Sequence, residues 1–263
     1  MSYESKNVFL GPLQFRILST IEASGRERFS FKQVLESLFG VNRQSLRNAL
    51  HKLVAKGRLH RIKKGEYLLV PFKEEDYTVH ELSLANDYYP GGYVSFLSAL
   101  RFHGLTDRLP VAVQVAVRKP AVKHLFQETR FEPVKLSERY FLGYKTIQVG
   151  GGSSVRMALK EKAILDCLLH PEYCGGVGEA CNALNAGFKE LDWKSIEFFL
   201  HRMNSSSLER RLRYCLKFIG RKSPLPEKKF EGYRKLDAFL PSRGGYDSKF
   251  GLRINVDLEE ETR

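Results

Sequence analysis

The sequence predicts an α+β protein in two parts, and three observations carry that expectation. Apolar residues recur at helical spacing over three short segments before Gly57, the period changes to two just after it, and strand-like and helix-like stretches mix from about residue 75 onward. A chain of 263 residues is long enough for two domains.

In the first helical segment Leu10, Leu13, Ile17, Leu18 and Ile21 share a face, and Pro12 sits near the start, where a missing N–H costs little. Ser30 followed three residues later by Gln33 is a capping-box signature that opens a second helix running to about Phe39. After Gly40, Asn42 is placed to cap a third helix. There Leu46, Ala49, Leu50, Leu53 and Val54 form the apolar stripe and Gly57 ends it. Residues 58–62 and 66–70 then alternate around Lys63-Lys64-Gly65, a hairpin whose glycine supplies positive φ in the turn. Three helices and a basic hairpin describe a winged helix-turn-helix, assigned to residues 1–74.

The face of the third helix opposite its apolar stripe carries Arg43, Gln44, Arg47, Asn48 and His51. These side chains suit guanine, adenine and phosphate contacts in a major groove. Arg58, Lys63 and Lys64 extend the expected DNA contact onto the wing. Charge supports this: the formal net charge is +13 and the pI about 9.6, with residues 1–72 carrying +8 and residues 202–235 another +8. Two basic blocks around a near-neutral middle are what separate contact surfaces produce. The second block holds Arg210, Arg211, Arg213, Lys217, Arg221 and Lys222. Three readings stay open for it: DNA phosphates beside the winged helix, an RNA or acidic protein partner, or a solvated helix face.

The larger domain is assigned to residues 75–263. Helices are expected at residues 77–85, 93–102 and about 155–169, with Gly91-Gly92 opening the second, and strands at 111–117 and 140–149. Further helices are expected at 177–186, 192–202 and 206–219, with Asp192 capping one and Ser205 or Ser206 the next. A short helix near 228–239, a strand at 250–256 and a frayed acidic tail from Asp257 to Glu261 complete the expectation.

Several functions are disfavoured. The longest wholly apolar segments are a few residues, against roughly 20 for a membrane span, and the amino terminus lacks a secretion-signal pattern, so a cytoplasmic protein is expected. Cys167, Cys174, Cys181 and Cys215 contain no CxxC pair and are expected to be reduced, buried thiols. His103, His124, His170 and His201 lack ligand spacing, so no metal or other cofactor is expected. Gly150-Gly-Gly-Ser-Ser precedes a helix but lacks a phosphate-loop ending. Glu161 and Asp166 lie five apart and share a helix face poorly. Asp87 and Asp107 fall at helix ends, with no nucleophile, base and orienting partner together, so an enzyme is not expected.

The residues carry a family resemblance. A basic winged helix followed by Leu84 to Leu105, including Tyr88-Tyr-Pro-Gly-Gly-Tyr-Val-Ser-Phe96, resembles the AbiEi family of antitoxins and transcriptional regulators. Lys160-Glu-Lys-Ala-Ile-Leu-Asp-Cys-Leu-Leu169, Leu208-Glu-Arg-Arg-Leu212 and Gly251-Leu-Arg-Ile-Asn-Val256 follow in the family's order, so the likeness spans nearly the whole chain. It implies a type IV toxin–antitoxin pair. The winged helix would repress its own operon at inverted repeats of double-stranded DNA, as a dimer or a cooperative assembly, and the larger domain would counteract a nucleotidyltransferase toxin without a necessary stable complex. Arg43, Gln44, Arg47, Lys63 and Lys64 match the DNA-reading positions, while Glu161, Asp166, Glu209, Arg210 and Arg211 lie in motifs of the larger domain. The alternative is a free-standing winged-helix regulator without antitoxin activity.

Overall fold

Helical and extended segments alternate from Pro12 onward in the computed structural model, which describes residues 9–70, 81–126, 128–149 and 153–262. The chain is mixed helix and sheet and divides into two units. One holds residues 1–80 with 150–153, the other residues 81–149 with 154–263. The expected boundary between residues 74 and 75, and the whole glycine run at 150–152, lie outside the described residues.

In the first unit α1 (Pro12–Ala23), α2 (Phe31–Ser37) and α3 (Arg43–Ala55) form where their caps and apolar spacing place them. Ser30 Oγ accepts from Gln33 N while Gln33 Oε1 accepts from Ser30 N, which closes the capping box at α2. Asn42 Oδ1 accepts from Ser45 N at 2.8 Å and caps α3. Three strands complete the unit: β1 (Arg28–Ser30), β2 (Leu59–Lys63) and β3 (Glu66–Leu69), antiparallel in the order β1-β3-β2. The pairing of Lys63 with Glu66 leaves Lys64 and Gly65 as a two-residue turn, and Gly65 takes φ +79° there. Strand β1 was not apparent in the sequence. It is three residues long and hands Ser30 directly to α2 as its cap. Ile17, Leu18, Ile21, Leu46, Leu50 and Leu53 meet Leu59 and Tyr67 in one core.

The second unit centres on a six-stranded mixed sheet of order β6-β7-β5-β4-β9-β8. Its strands are β4 (Tyr93–Val94), β5 (Val113–Val117), β6 (His124–Phe126), β7 (Thr129–Lys135), β8 (Tyr144–Gln148) and β9 (Ser154–Ala158). Strand β5 is buried at all five residues, Gln114 included, as expected for a strand covered on both faces. After the short α4 (Leu84–Tyr88), α5 (Phe96–Phe102) leaves β4, and α6 (Lys160–Leu169) follows β9 directly. Helix α6 packs against α5, α7 (Val177–Gly187), α8 (Trp193–Met203) and α9 (Ser206–Phe218). Asp192 and Ser205 cap α8 and α9 as expected. Strands β10 (Arg234–Lys235), β11 (Tyr246–Asp247) and β12 (Leu252–Arg253) make a small second sheet, and α10 (Leu258–Glu261) ends the described chain.

Five expectations for this unit are corrected. Residues 93–102 are not one helix: Tyr93 and Val94 pair with β5 and β9, Ser95 is extended, and Phe96 adopts φ +54° before α5 begins. Residues 155–158 are strand and not helix, because Val155 and Met157 face the core at period two while pairing with β8. The helix expected near 228–239 is absent; that stretch lies extended against β12 at Arg234–Lys235. The acidic tail is ordered: Asp257 Oδ1 caps α10, and Glu261 Oε2 accepts from Gly178 N at 2.7 Å. Finally, α7 and α9 pack closely enough to join Cys181 to Cys215 in a disulfide, Cα to Cα 5.4 Å, while Cys167 and Cys174 stay buried thiols.

At the heart of α6 lies an ion pair that solvent does not reach. Lys162 and Asp166, both 0 % exposed, bond to each other one turn apart. Lys162 Nζ lies 3.1 Å from Tyr93 Oη, and Asp166 Oδ2 accepts from Ser95 Oγ at 2.7 Å. Burial pulls the Lys162 ammonium below its usual range and Asp166 opposes that pull. Replacing Asp166 by Asn leaves a buried charge without its counter-ion and is expected to cost about 3–5 kcal/mol, whereas replacing both residues by apolar ones costs far less. Urea unfolding followed through Trp193, the chain's one tryptophan, measures both; equal losses in the two variants would contradict this account.

Candidate nucleic-acid interface

The apolar stripe of α3 decides which side chains remain outside. Leu46, Leu50 and Leu53 are fully buried, so Arg43, Gln44, Arg47, Asn48 and His51 stand on the opposite, exposed face. Three of them are already linked in a chain. Arg47 Nη1 donates to Gln44 Oε1 at 3.0 Å, and Gln44 Nε2 donates to Asn48 Oδ1 at 3.0 Å, which orients the amide along the helix. A cation and two amides in a row present the donors and acceptors that base edges match.

Lys63 and Lys64 are exposed at the β2–β3 turn, and β2 packs against α3 in the same unit. Lys63 pairs with Glu66 at 3.2 Å, which reduces the charge it offers. Arg61, also exposed on β2, adds a cation that the sequence reading did not single out; alternation along β2 placed it beside the buried Ile62. Arg58 is corrected. It precedes β2, is 6 % exposed, and burial lowers its pKa against the pull of Glu22, so it is not a surface contact.

The second basic block is corrected more deeply. Arg210, Arg211 and Arg213 are buried and serve as structural clamps. Arg210 donates from Nη1 to the carbonyls of Gly232 and Gly251, from Nη2 to Glu231 O and from Nε to Ser206 Oγ, all within 3.0 Å. Arg211 donates to Leu168 O at 2.7 Å and to Leu169 O at 3.3 Å, the last carbonyls of α6. Burial lowers its pKa, opposed by Asp237 and Glu172. Arg213 pairs with Glu209 at 2.9 Å and donates to Pro226 O. The remaining three are exposed: Lys217 pairs with Asp247 at 2.8 Å, Arg221 reaches Asn185, and Lys222 lies in the segment after α9.

Three other residues considered for chemistry have partners within the fold. Glu161 accepts from Asp192 N at the start of α8, Asp107 pairs with Arg101, and His103 Nε2 lies 2.7 Å from Ala158 O. Among the described residues no three His, Cys, Asp or Glu side chains converge as a metal site, and no helix is long and apolar enough to cross a membrane.

No family model and no curated protein matches the chain. Among solved structures, it is similar to the crystal structure of the RV2827C protein from Mycobacterium tuberculosis, with a TM-score of 0.63 over 93 % of this chain and 92 % of that one. The two are 12 % identical, so the likeness is one of fold.

Two variants separate surface from scaffold. Arg43→Ala with Arg47→Ala is expected to leave stability within about 0.5 kcal/mol, since both side chains are exposed. Arg210→Ala is expected to cost at least about 2 kcal/mol, because it strands three carbonyls of the segments that wrap α9. Thermal melts of the purified variants check both, and a stable Arg210→Ala protein would remove the clamp assignment.

Proposed function

We propose that the protein is a DNA-binding antitoxin that represses its own operon. In this reading residues 1–74 are a winged helix-turn-helix, α3 is the recognition helix, the β2–β3 hairpin is the wing, and the second domain counteracts a nucleotidyltransferase toxin. The observation that carries the DNA reading is the exposed row Arg43, Gln44, Arg47, Asn48 and His51, backed by a helix stripe that is wholly buried. The order of helices and the β1-β3-β2 sheet support the winged-helix assignment. The antitoxin part rests on the resemblance to AbiEi of Leu84–Leu105, Lys160–Leu169, Leu208–Leu212 and Gly251–Val256.

The physics of such a contact is mainly electrostatic. A module that neutralises four to six phosphates gives a slope of log K against log salt of about −4 to −5. Arg43, Arg47, Arg61 and Lys64 supply the core of that count, and Lys63 contributes less while it is paired with Glu66. Gln44 and Asn48 add sequence discrimination of about 1–3 kcal/mol for each bidentate pair with a base. One module of this size binds weakly, so an inverted repeat read by two copies gives the required specificity.

Gel-shift titration of the full chain on its own upstream DNA against a scrambled fragment, at two salt concentrations, tests the reading. Preferential, salt-sensitive binding is expected for the natural chain, with the preference abolished in the triple variant Arg43→Ala, Gln44→Ala, Arg47→Ala. Equal, weak binding to both fragments would sink autorepression. Co-expression with a nucleotidyltransferase encoded beside it tests the second half: the triple variant is expected to lose repression yet still protect the cell, since its changes lie on one exposed face of the first unit. A chain that represses but gives no protection is a free-standing regulator.

A further inference from the structure

A cavity of about 960 Å³ in the second unit runs between the start of α9 and the segment from Leu225 to Arg234. Its charges fall into two sets. At the open edge Arg202, Lys229 and Arg234 face Glu197, Glu227 and Glu231 in equal number, and none of the six forms an ion pair among the described residues. Around a fourth carboxylate, Glu209, stand Arg210 and Arg213, which are buried, and Lys228, which is exposed; Glu209 pairs with Arg213 at 2.9 Å and Lys228 at 2.5 Å. The cluster around Glu209 therefore holds an excess of two positive charges over its one carboxylate.

Arg210 accounts for half of that excess, and its acceptors are three carbonyls and a hydroxyl with no carboxylate among them. A guanidinium has five N–H donors; those bonds use four and leave one on Nη2. Burial and the neighbouring Arg234 both act to lower its pKa, so an anion here relieves a charge the fold leaves uncompensated. The N-terminus of the 13-residue α9 opens on the same space through Ser205 and Ser206, which adds the positive end of the helix dipole. Phe230 lies half-buried in the wall, with the Arg210 guanidinium 4.8 Å from its ring centroid and Lys228 Nζ at 6.0 Å. An aromatic ring beside an anion site is the surface on which a base stacks.

We propose that this groove binds a phosphate monoester carried on a nucleoside, with the phosphate at Arg210, Lys228 and the start of α9 and the base against Phe230. A compact dianion matches the excess of two charges around Glu209. A long duplex backbone does not, because the balanced outer edge offers it no continuing positive track. The proposal is independent of how α3 reads DNA.

Calorimetric titration of the full chain at low salt tests it with AMP, adenosine, inorganic phosphate, and a short oligoribonucleotide with and without its 5′-phosphate. AMP or the 5′-phosphorylated oligonucleotide is expected to bind saturably, at least tenfold tighter than its dephosphorylated form, with inorganic phosphate competing. Whichever of the two is tighter identifies the source of the group. Lys228→Gln, at an exposed position, is expected to weaken AMP binding at least tenfold with an unchanged melting temperature. Phe230→Leu is expected to weaken AMP more than inorganic phosphate. No saturable binding of either phosphorylated ligand, adenosine binding as tightly as AMP, or undiminished binding by Lys228→Gln would overturn the proposal. Arg43→Ala with Arg47→Ala, which disables the DNA face, is expected to bind AMP as the natural chain does.

Discussion

The pairing of Lys162 with Asp166 constrains more of the second unit than any other contact. Two charged groups with no exposure are tolerable only if every neighbouring element is in register. Asp166 needs Ser95 Oγ, and Lys162 needs Tyr93 Oη; both come from the two residues on either side of Val94 at the end of β4. The chain leaves β4 sharply here: Ser95 Oγ reaches Asp166 on α6, and Phe96 takes φ +54° at the start of α5, which itself packs against α6. A hydrophobic pair would fill the same volume, yet it would tolerate sliding of α6 along the sheet, whereas this network does not.

The same logic continues outward through arginines. Arg211 donates to the last carbonyls of α6, groups that a helix end leaves without intrahelical partners, and so ties α9 to the central helix. Arg210, one residue earlier, holds the carbonyls of Glu231, Gly232 and Gly251, which belong to the segments leading into β10 and β12. Gly251 has no room for a side chain beside Arg210, and its φ of +58° is one that glycine accepts freely. Central helix, packing helix and terminal sheet are thus joined in sequence by charged donors on neutral carbonyls.

These roles explain what the amino-acid sequence disclosed and what it concealed. The first unit was legible because its signals are local: the capping pair Ser30 and Gln33, the cap Asn42, and an apolar stripe that by itself assigns Arg43, Gln44 and Arg47 to the other face. Arg58 misled because it adjoins the alternating strand without belonging to it. In the second unit Tyr93–Val94 is too short to show a period, and Ser154–Ala158 joins α6 with only Leu159 between, so a strand and a helix read as one element. The buried arginines carried a signal that the charge count overrode. Leu208, Leu212, Cys215 and Leu216 define the inner face of α9, and Arg211 lies three residues from Leu208 on that face.

Net charge is therefore a poor guide to where this protein presents cations to solvent. Both basic blocks carry +8 in sequence, but they differ in what solvent and ligands encounter. Arg43, Arg47, Arg61 and Lys64 stand exposed, free to displace the counterions that a nucleic acid holds. Arg210, Arg211 and Arg213 have exchanged solvent for carbonyls and one carboxylate, so their charge is directed inward and cannot follow an extended backbone. An inward charge is felt only by a ligand small enough to approach it. That difference in accessibility, and not the number of basic residues, is what separates the two blocks, and both the proposed duplex contact and the proposed anion site rest on it.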